Sequence, residues 1–259
     1  MNKIIQKRKN IKDIWNAFMV DGADFSTSNY DIPLCPTTCT QDEIPTKIIT
    51  YSEAITIYNK QHKQNKDFKI DMYVCFYEDD QNFDGKRKGI WVYPKNAYNI
   101  LNHFSGIITP DFSTYQDFPI ALKIYNTYRM RAFGYWYSAK CGKKVINNIR
   151  WGTNETYNFC FDGIPKNSIV AIGTVGGSPF KLLDRKRFED GLNEMVKRIN
   201  PCAIIIYGSA NYPCFKRLSI SGIKIIEFPS RTNSYYQSRG KSLWVKDIVD
   251  YLKIQKDTL

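Results

Sequence analysis

Short runs of β-branched and aromatic residues recur along the middle of this chain, and between them the apolar positions spread to helical spacing. Seven strands are predicted, at Thr46–Tyr51, Ile70–Tyr77, Gly106–Pro110, Val145–Arg150, Ser168–Thr174, Ala203–Tyr207 and Ile223–Phe228. Strands separated by helices are what a parallel sheet with crossover connections demands. The helices carry their own start and stop signals. Ser52 is placed to cap a helix running through Glu53 to about Gln61. Pro94 and Pro119 suit a first helical turn, where the missing amide has no intrahelical partner anyway. After Asp184, the apolar residues Phe188, Leu192, Met195 and Ile199 fall on one face, Lys197 and Arg198 suit the C-terminal dipole, and Pro201 stops the helix.

Seven strand-helix steps in one chain leave two architectures. A closed (β/α) barrel needs an eighth strand, from the N-terminal forty residues or a degenerate last unit; an open doubly wound sheet needs a reversal in strand order. A barrel-like α/β arrangement is the expectation, and no internal repeat of constant period points to a solenoid. At 259 residues one domain suffices. It divides into an N-terminal wrapping segment (1–42) with one predicted helix, Ile11–Phe18, and prolines at 33 and 36; a core (43–230); and a polar loop or lid (231–242) before a final helix near Leu243–Ile254.

Composition adds limits. Hydrophobic residues at 43% and charged residues at 24% allow a large core and argue against disorder. No stretch approaches the roughly 20 apolar residues of a membrane-spanning helix, and the basic start Met1–Lys9 has no apolar run behind it, so no secretory signal is read there. A cytoplasmic place is expected, with the seven irregularly spaced cysteines reduced. A net charge of +12 raises the prospect of nucleic acid or another anion as partner. Abundant Lys, Asn, Ile and Tyr also follow from an AT-rich genome, which raises the charge without making a binding stripe.

In parallel α/β folds ligands bind at the carboxyl ends of the strands. The residues there are Asp111, Phe112 and Ser113; Arg150, Trp151 and Gly152; Thr174, Gly176 and Gly177; Tyr207, Gly208 and Ser209; and Phe228, Pro229 and Ser230. Asp111 is the candidate acid, base or metal ligand, with a turn or capping aspartate as the plain alternative. Arg150 is the candidate anion ligand, unless it is consumed by a salt bridge to Asp111 or Asp162. Arg129 and Arg131 cannot share a helix face, so at most one is expected to point toward the strand ends, with the other in solvent. The aromatics from Tyr125 to Tyr137 either stack bases beside them or pack the core. Gly173–Ser178 sits where backbone amides can cradle phosphate, but matches no phosphate-loop or dinucleotide fingerprint.

Metal and histidine chemistry find little support. The Cys35 to Cys39 spacing resembles the opening of a radical S-adenosylmethionine cluster motif, yet Asp42 stands where a third cysteine is needed. No metal is expected there, and His62 and His103 make a histidine-based triad improbable. Glu78, Asp79, Asp80 and Asp84 form an acidic cluster that Lys86-Arg87-Lys88 offsets, as in a surface loop. No cofactor is specified.

Four segments carry a family resemblance: Ile108–Ser113, Asn126–Arg131, Asn148–Gly152 and Phe159–Pro165. Over about residues 30–230 the chain resembles the domain-of-unknown-function family 4417. The resemblance implies a bacterial, phage or mobile-element setting and supplies no mechanism. Three roles therefore stand open: binding of a phosphorylated or nucleotide-like ligand at the strand ends, a non-catalytic association with nucleic acid, or inhibition of a host protein.

Overall fold

The computed structural model describes residues 12–37, 44–86, 88–174 and 182–230. Seven strands, β1 (Ile48–Thr50), β2 (Ile70–Cys75), β3 (Phe104–Ile108), β4 (Lys144–Asn148), β5 (Ile169–Gly173), β6 (Ala203–Tyr207) and β7 (Lys224–Phe228), make one sheet. They pair in chain order and all in parallel. There is no reversal of order, so the doubly wound alternative is excluded, and the sheet curls into a half-barrel. Each of the seven predicted strands is present, trimmed by a residue or two at most boundaries.

Alternation along the strands sorts the core. One set of side chains, including Ile48, Tyr73, Cys75, Ile108, Ile146, Ala171 and Ile205, forms a cluster on the concave face. The residues between them face the helices: Val74, Ile107 and Val145 in one cluster, Val170, Ile172 and Ile204 in another. Curling is visible in who meets whom. Tyr77, just past β2, stacks on Tyr207 of β6 with ring centroids 5.2 Å apart, although three strands separate them in the sheet. Gly173 gives this ring its room, because a Cβ there would lie 2.6 Å from Tyr77.

The helices α1 (Tyr51–Gln61), α2 (Pro94–Leu101), α3 (Ile120–Tyr135), α4 (Leu182–Ile199) and α5 (Pro213–Ile220) cover the convex face. Pro94 does open α2, whereas Pro119 caps α3 from outside. In α4 the predicted face of Phe188, Leu192, Met195 and Ile199 is buried. Two expectations are corrected. Thr50, not Ser52, caps α1, in a reciprocal box with Glu53; Ser52 is drawn away by Glu78, which accepts from both its amide and its hydroxyl. The helix predicted at Ile11–Phe18 is absent from its described part, and a 3-10 turn, Ala17–Val20, stands at its end. There Asp13 accepts from the amides of Ala17 and Phe18, and Asn16 takes a left-handed φ of 56° that breaks helical continuity.

The rest of the described N-terminal segment buries Met19, Val20, Ile32 and Cys35. The six described cysteines are free. No helix among the described residues is long and apolar enough to cross a membrane. Cys39, the predicted lid at 231–242 and the predicted helix near 243–254 lie outside the described residues.

Candidate functional site

β3 and β4 are neighbours, so the residues that follow them emerge side by side. Asp111 and Arg150 meet there in a bidentate pair, Nε donating to Oδ1 at 2.7 Å and Nη2 to Oδ2 at 2.5 Å. The Asp111 side chain is 4% exposed and that of Arg150 28%. The carboxylate holds the guanidinium proton more firmly, so the pKa of Arg150 is raised despite burial. Of the two partners weighed for Arg150, the structure thus selects Asp111. Its Nη1 has no hydrogen-bond partner among the described residues, and this edge of the fork stays available.

Asn148, the last residue of β4, organises the surroundings. Its amide donates to Thr109 Oγ1 at 2.8 Å, and its carbonyl accepts from Arg131 Nη1 at 2.9 Å. Its Nδ2 donates to Asp111 Oδ1 at 2.8 Å, and its Oδ1 accepts from the Tyr77 hydroxyl at 2.9 Å. All four polar groups of a fully buried residue are therefore engaged. Burial pushes the Tyr77 phenol well above its ordinary range, which keeps it a donor. A continuous path runs from the Tyr77–Tyr207 stack through Asn148 and Asp111 to Arg150.

A second network lies on the other side of Phe112. Ser113 donates from its amide and hydroxyl to Asp80, at 3.0 and 2.8 Å, and its carbonyl accepts from Asn126 Nδ2. Asn126 Oδ1 accepts from Arg129, which reaches both oxygens of Asp84 at 2.8 Å. The Arg129 guanidinium lies 3.9 Å from the Phe112 ring centroid and 5.1 Å from that of Tyr125. Burial raises the Asp84 carboxyl against the opposing pull of Arg129. The acidic run expected as a surface loop instead ties elements together: Glu78 to α1, Asp80 to Ser113, Asp84 to α3.

Other expectations are redistributed. Neither Arg129 nor Arg131 is solvated; they are 8% and 0% exposed. Arg131 donates to the carbonyls of Asp162, Asn148 and Cys160, and burial lowers its pKa to about 10. The helical spacing that suggested an exposed arginine failed because Asp84, Trp91 and Phe112 cover Arg129 while the carbonyls of Asn148, Cys160 and Asp162 take Arg131. Phe133, Trp136 and Tyr137 are core residues, leaving Tyr125 as the well-exposed aromatic of that run. Trp151 packs against α4, its ring in contact range of Phe188 and tight against Gly191. Ser209 turns its hydroxyl to the Asn211 amide and its carbonyl to Thr174. Gly176 and Gly177 lie outside the described residues.

Two cavities among the described residues lie apart from the pair. One of about 560 Å³ opens between β1, α1, Tyr207 and Pro229, at the seam of the half-barrel. Another of about 500 Å³ lies near Cys35, Tyr135 and Pro165. Neither is lined by Asp111 or Arg150. Burial pushes the Cys35 thiol up to about 12, so it is not a nucleophile at neutral pH. Among the described residues no group of three or more His, Cys, Asp or Glu could hold a metal ion.

The family model described as a domain of unknown function, DUF4417, matches residues 26–229. The "Gene 1 protein" of Mycobacterium phage D29 and the "Gene 1 protein" of Mycobacterium phage L5 are each 36% identical to the chain over 138 residues. That stretch is 53% of this chain and 48% and 57% of the two phage proteins, so the chain spans about half the length of the curated relatives it matches. No solved structure matches it.

Proposed function

We propose, for a chain that belongs to the domain-of-unknown-function family 4417 and is similar to phage proteins, that it binds an anionic, phosphorylated or nucleotide-like ligand at the carboxyl ends of its strands, with Arg150 as the principal contact. One observation carries the reading: a guanidinium held in a fixed plane by a buried carboxylate, with its remaining edge unbonded among the described residues and partly open to water. Pre-orientation lowers the entropy cost of each hydrogen bond to a ligand. Asp111 cancels the net charge, so recognition rests on directed N–H groups rather than on attraction from a distance. In this reading Asp111 positions Arg150 and is not a general acid or base, since its oxygens are taken by Arg150 and Asn148.

Thermal melts with phosphate, pyrophosphate and nucleoside mono- and triphosphates test it. A ligand at about 100 times its Kd stabilises by roughly 2.7 kcal/mol, a rise of several degrees for a domain of this size. Arg150→Lys keeps the charge and removes the planar fork, and the ligand-dependent rise should vanish. No shift with any of these anions at millimolar concentration, or an equal shift in Arg150→Lys, rejects the reading.

A further inference from the structure

Many aromatic side chains among the described residues are buried, which makes the exposed ones informative. Trp15 is 62%, Tyr93 43% and Tyr125 45% exposed. Their segments are joined. Asn16 Nδ2 donates to the Trp91 carbonyl at 2.6 Å, tying the turn that carries Trp15 to the stretch that carries Tyr93. The Trp91 ring in turn meets Tyr125 edge-on at 6.3 Å.

Lys12, Lys88 and Lys95 are exposed on the same segments and have no carboxylate partner among the described residues. Two acids on these segments have partners of their own. Asp13 accepts from the amides of Trp15, Ala17 and Phe18, and Asp84 is bound by Arg129. These segments thus offer to water the rings of Trp15, Tyr93 and Tyr125 and three lysines with no carboxylate partner among the described residues.

We propose that this face binds single-stranded nucleic acid, with Trp15, Tyr93 and Tyr125 stacking on bases and Lys12, Lys88 and Lys95 meeting phosphates. A base has a π-face whatever its identity, and an unpaired strand can splay its bases onto rings that a duplex keeps stacked inside. None of these residues belongs to the Asp111–Arg150 pair, and the proposal does not rest on it.

The test uses the full chain and a fluorescent oligothymidylate, followed by anisotropy across a salt series. Ring loss at Trp15→Ala, Tyr93→Ala or Tyr125→Ala should each weaken binding about 5- to 150-fold, the range for one stacked base. The triple change of Lys12, Lys88 and Lys95 to Gln should flatten the log–log salt slope by about 2, three contacts at roughly 0.7 each. Trp15→Phe should keep binding while removing oligonucleotide-dependent quenching of its indole. Absence of binding at low salt overturns the proposal. So does binding that survives all three ring losses, equal affinity for duplex, or capture of an acidic peptide in place of the oligonucleotide. Melting points of the variants, close to wild type because these side chains are exposed, show that any loss is not unfolding.

Discussion

Arg131 and Arg150 are joined through two residues, Asn148 and Asp111, and are used in opposite ways. Arg131 is fully covered and spends its N–H groups on three main-chain carbonyls, with no carboxylate bonded to it. Arg150 is held on one edge by Asp111, through which it also meets Asn148, and its other edge reaches water. Surroundings move their proton affinities apart: burial lowers Arg131, and Asp111 raises Arg150. A guanidinium whose bonds all close on backbone is a piece of the fold. One that is anchored but incompletely bonded can still act on something else.

The largest expected effect falls on Arg131. Arg131→Met keeps the apolar stem but leaves three buried carbonyls without donors, each costing about 1–3 kcal/mol. A fall in melting temperature on the order of 10 °C, or failure to obtain folded protein, is expected by calorimetry; a change within about 2 °C would erase the distinction between the two arginines. Next comes Arg150→Ala, which isolates the Asp111 carboxylate. Breaking a wholly buried pair costs roughly 3–5 kcal/mol, and the partial exposure of Arg150 places this change at or below the lower bound. Asp111→Ala should cost less, because Arg150 can turn toward water.

Arg150→Lys sharpens the contrast further, since its melting point should move by only about 1–3 °C while anion-dependent stabilisation is lost. The smallest effect belongs to a third arginine, Arg198, whose side chain is 38% exposed and paired with Glu194 at 2.7 Å. Glu194→Gln should shift the melt by less than about 2 °C. The hydrogen bond from Arg198 lowers the Glu194 carboxyl below its ordinary 4.5. That small contribution is present above the ordinary value and fades as pH falls through the lowered one, so a difference melt against Glu194→Gln should close on acidification.

What the sequence disclosed follows the same division. Strands such as Ala203–Tyr207 were legible because an unbroken apolar run bounded by turn residues suits a strand buried on both faces, and Arg150 was legible because a charge at a strand end is conspicuous. The box Thr50 to Glu53 was also written in the chain, but Ser52 two residues on offered an equally good cap until Glu78 was placed beside it. The structural roles of Arg131 and Asn148 were not legible, since helical spacing left Arg131 either near the strand ends or in solvent and Asn148 stood only within a family segment. Their roles depend on carbonyls and side chains far away in sequence, and the only trace is polar residues set among apolar ones, Met130 and Ala132 about the first, Ile146 and Ile149 near the second.

The chain-order pairing of the strands bears on how the molecule is made. On a ribosome each emerging strand finds its partner already present, because β2 needs only β1 and β7 only β6. Such a sheet can be laid down progressively from its N-terminal edge, with short loop closures at each step. The Tyr77 ring is an exception to that order. Its stacking partner Tyr207 is synthesised late, so the concave side stays open at this point for most of translation and closes only when β6 arrives.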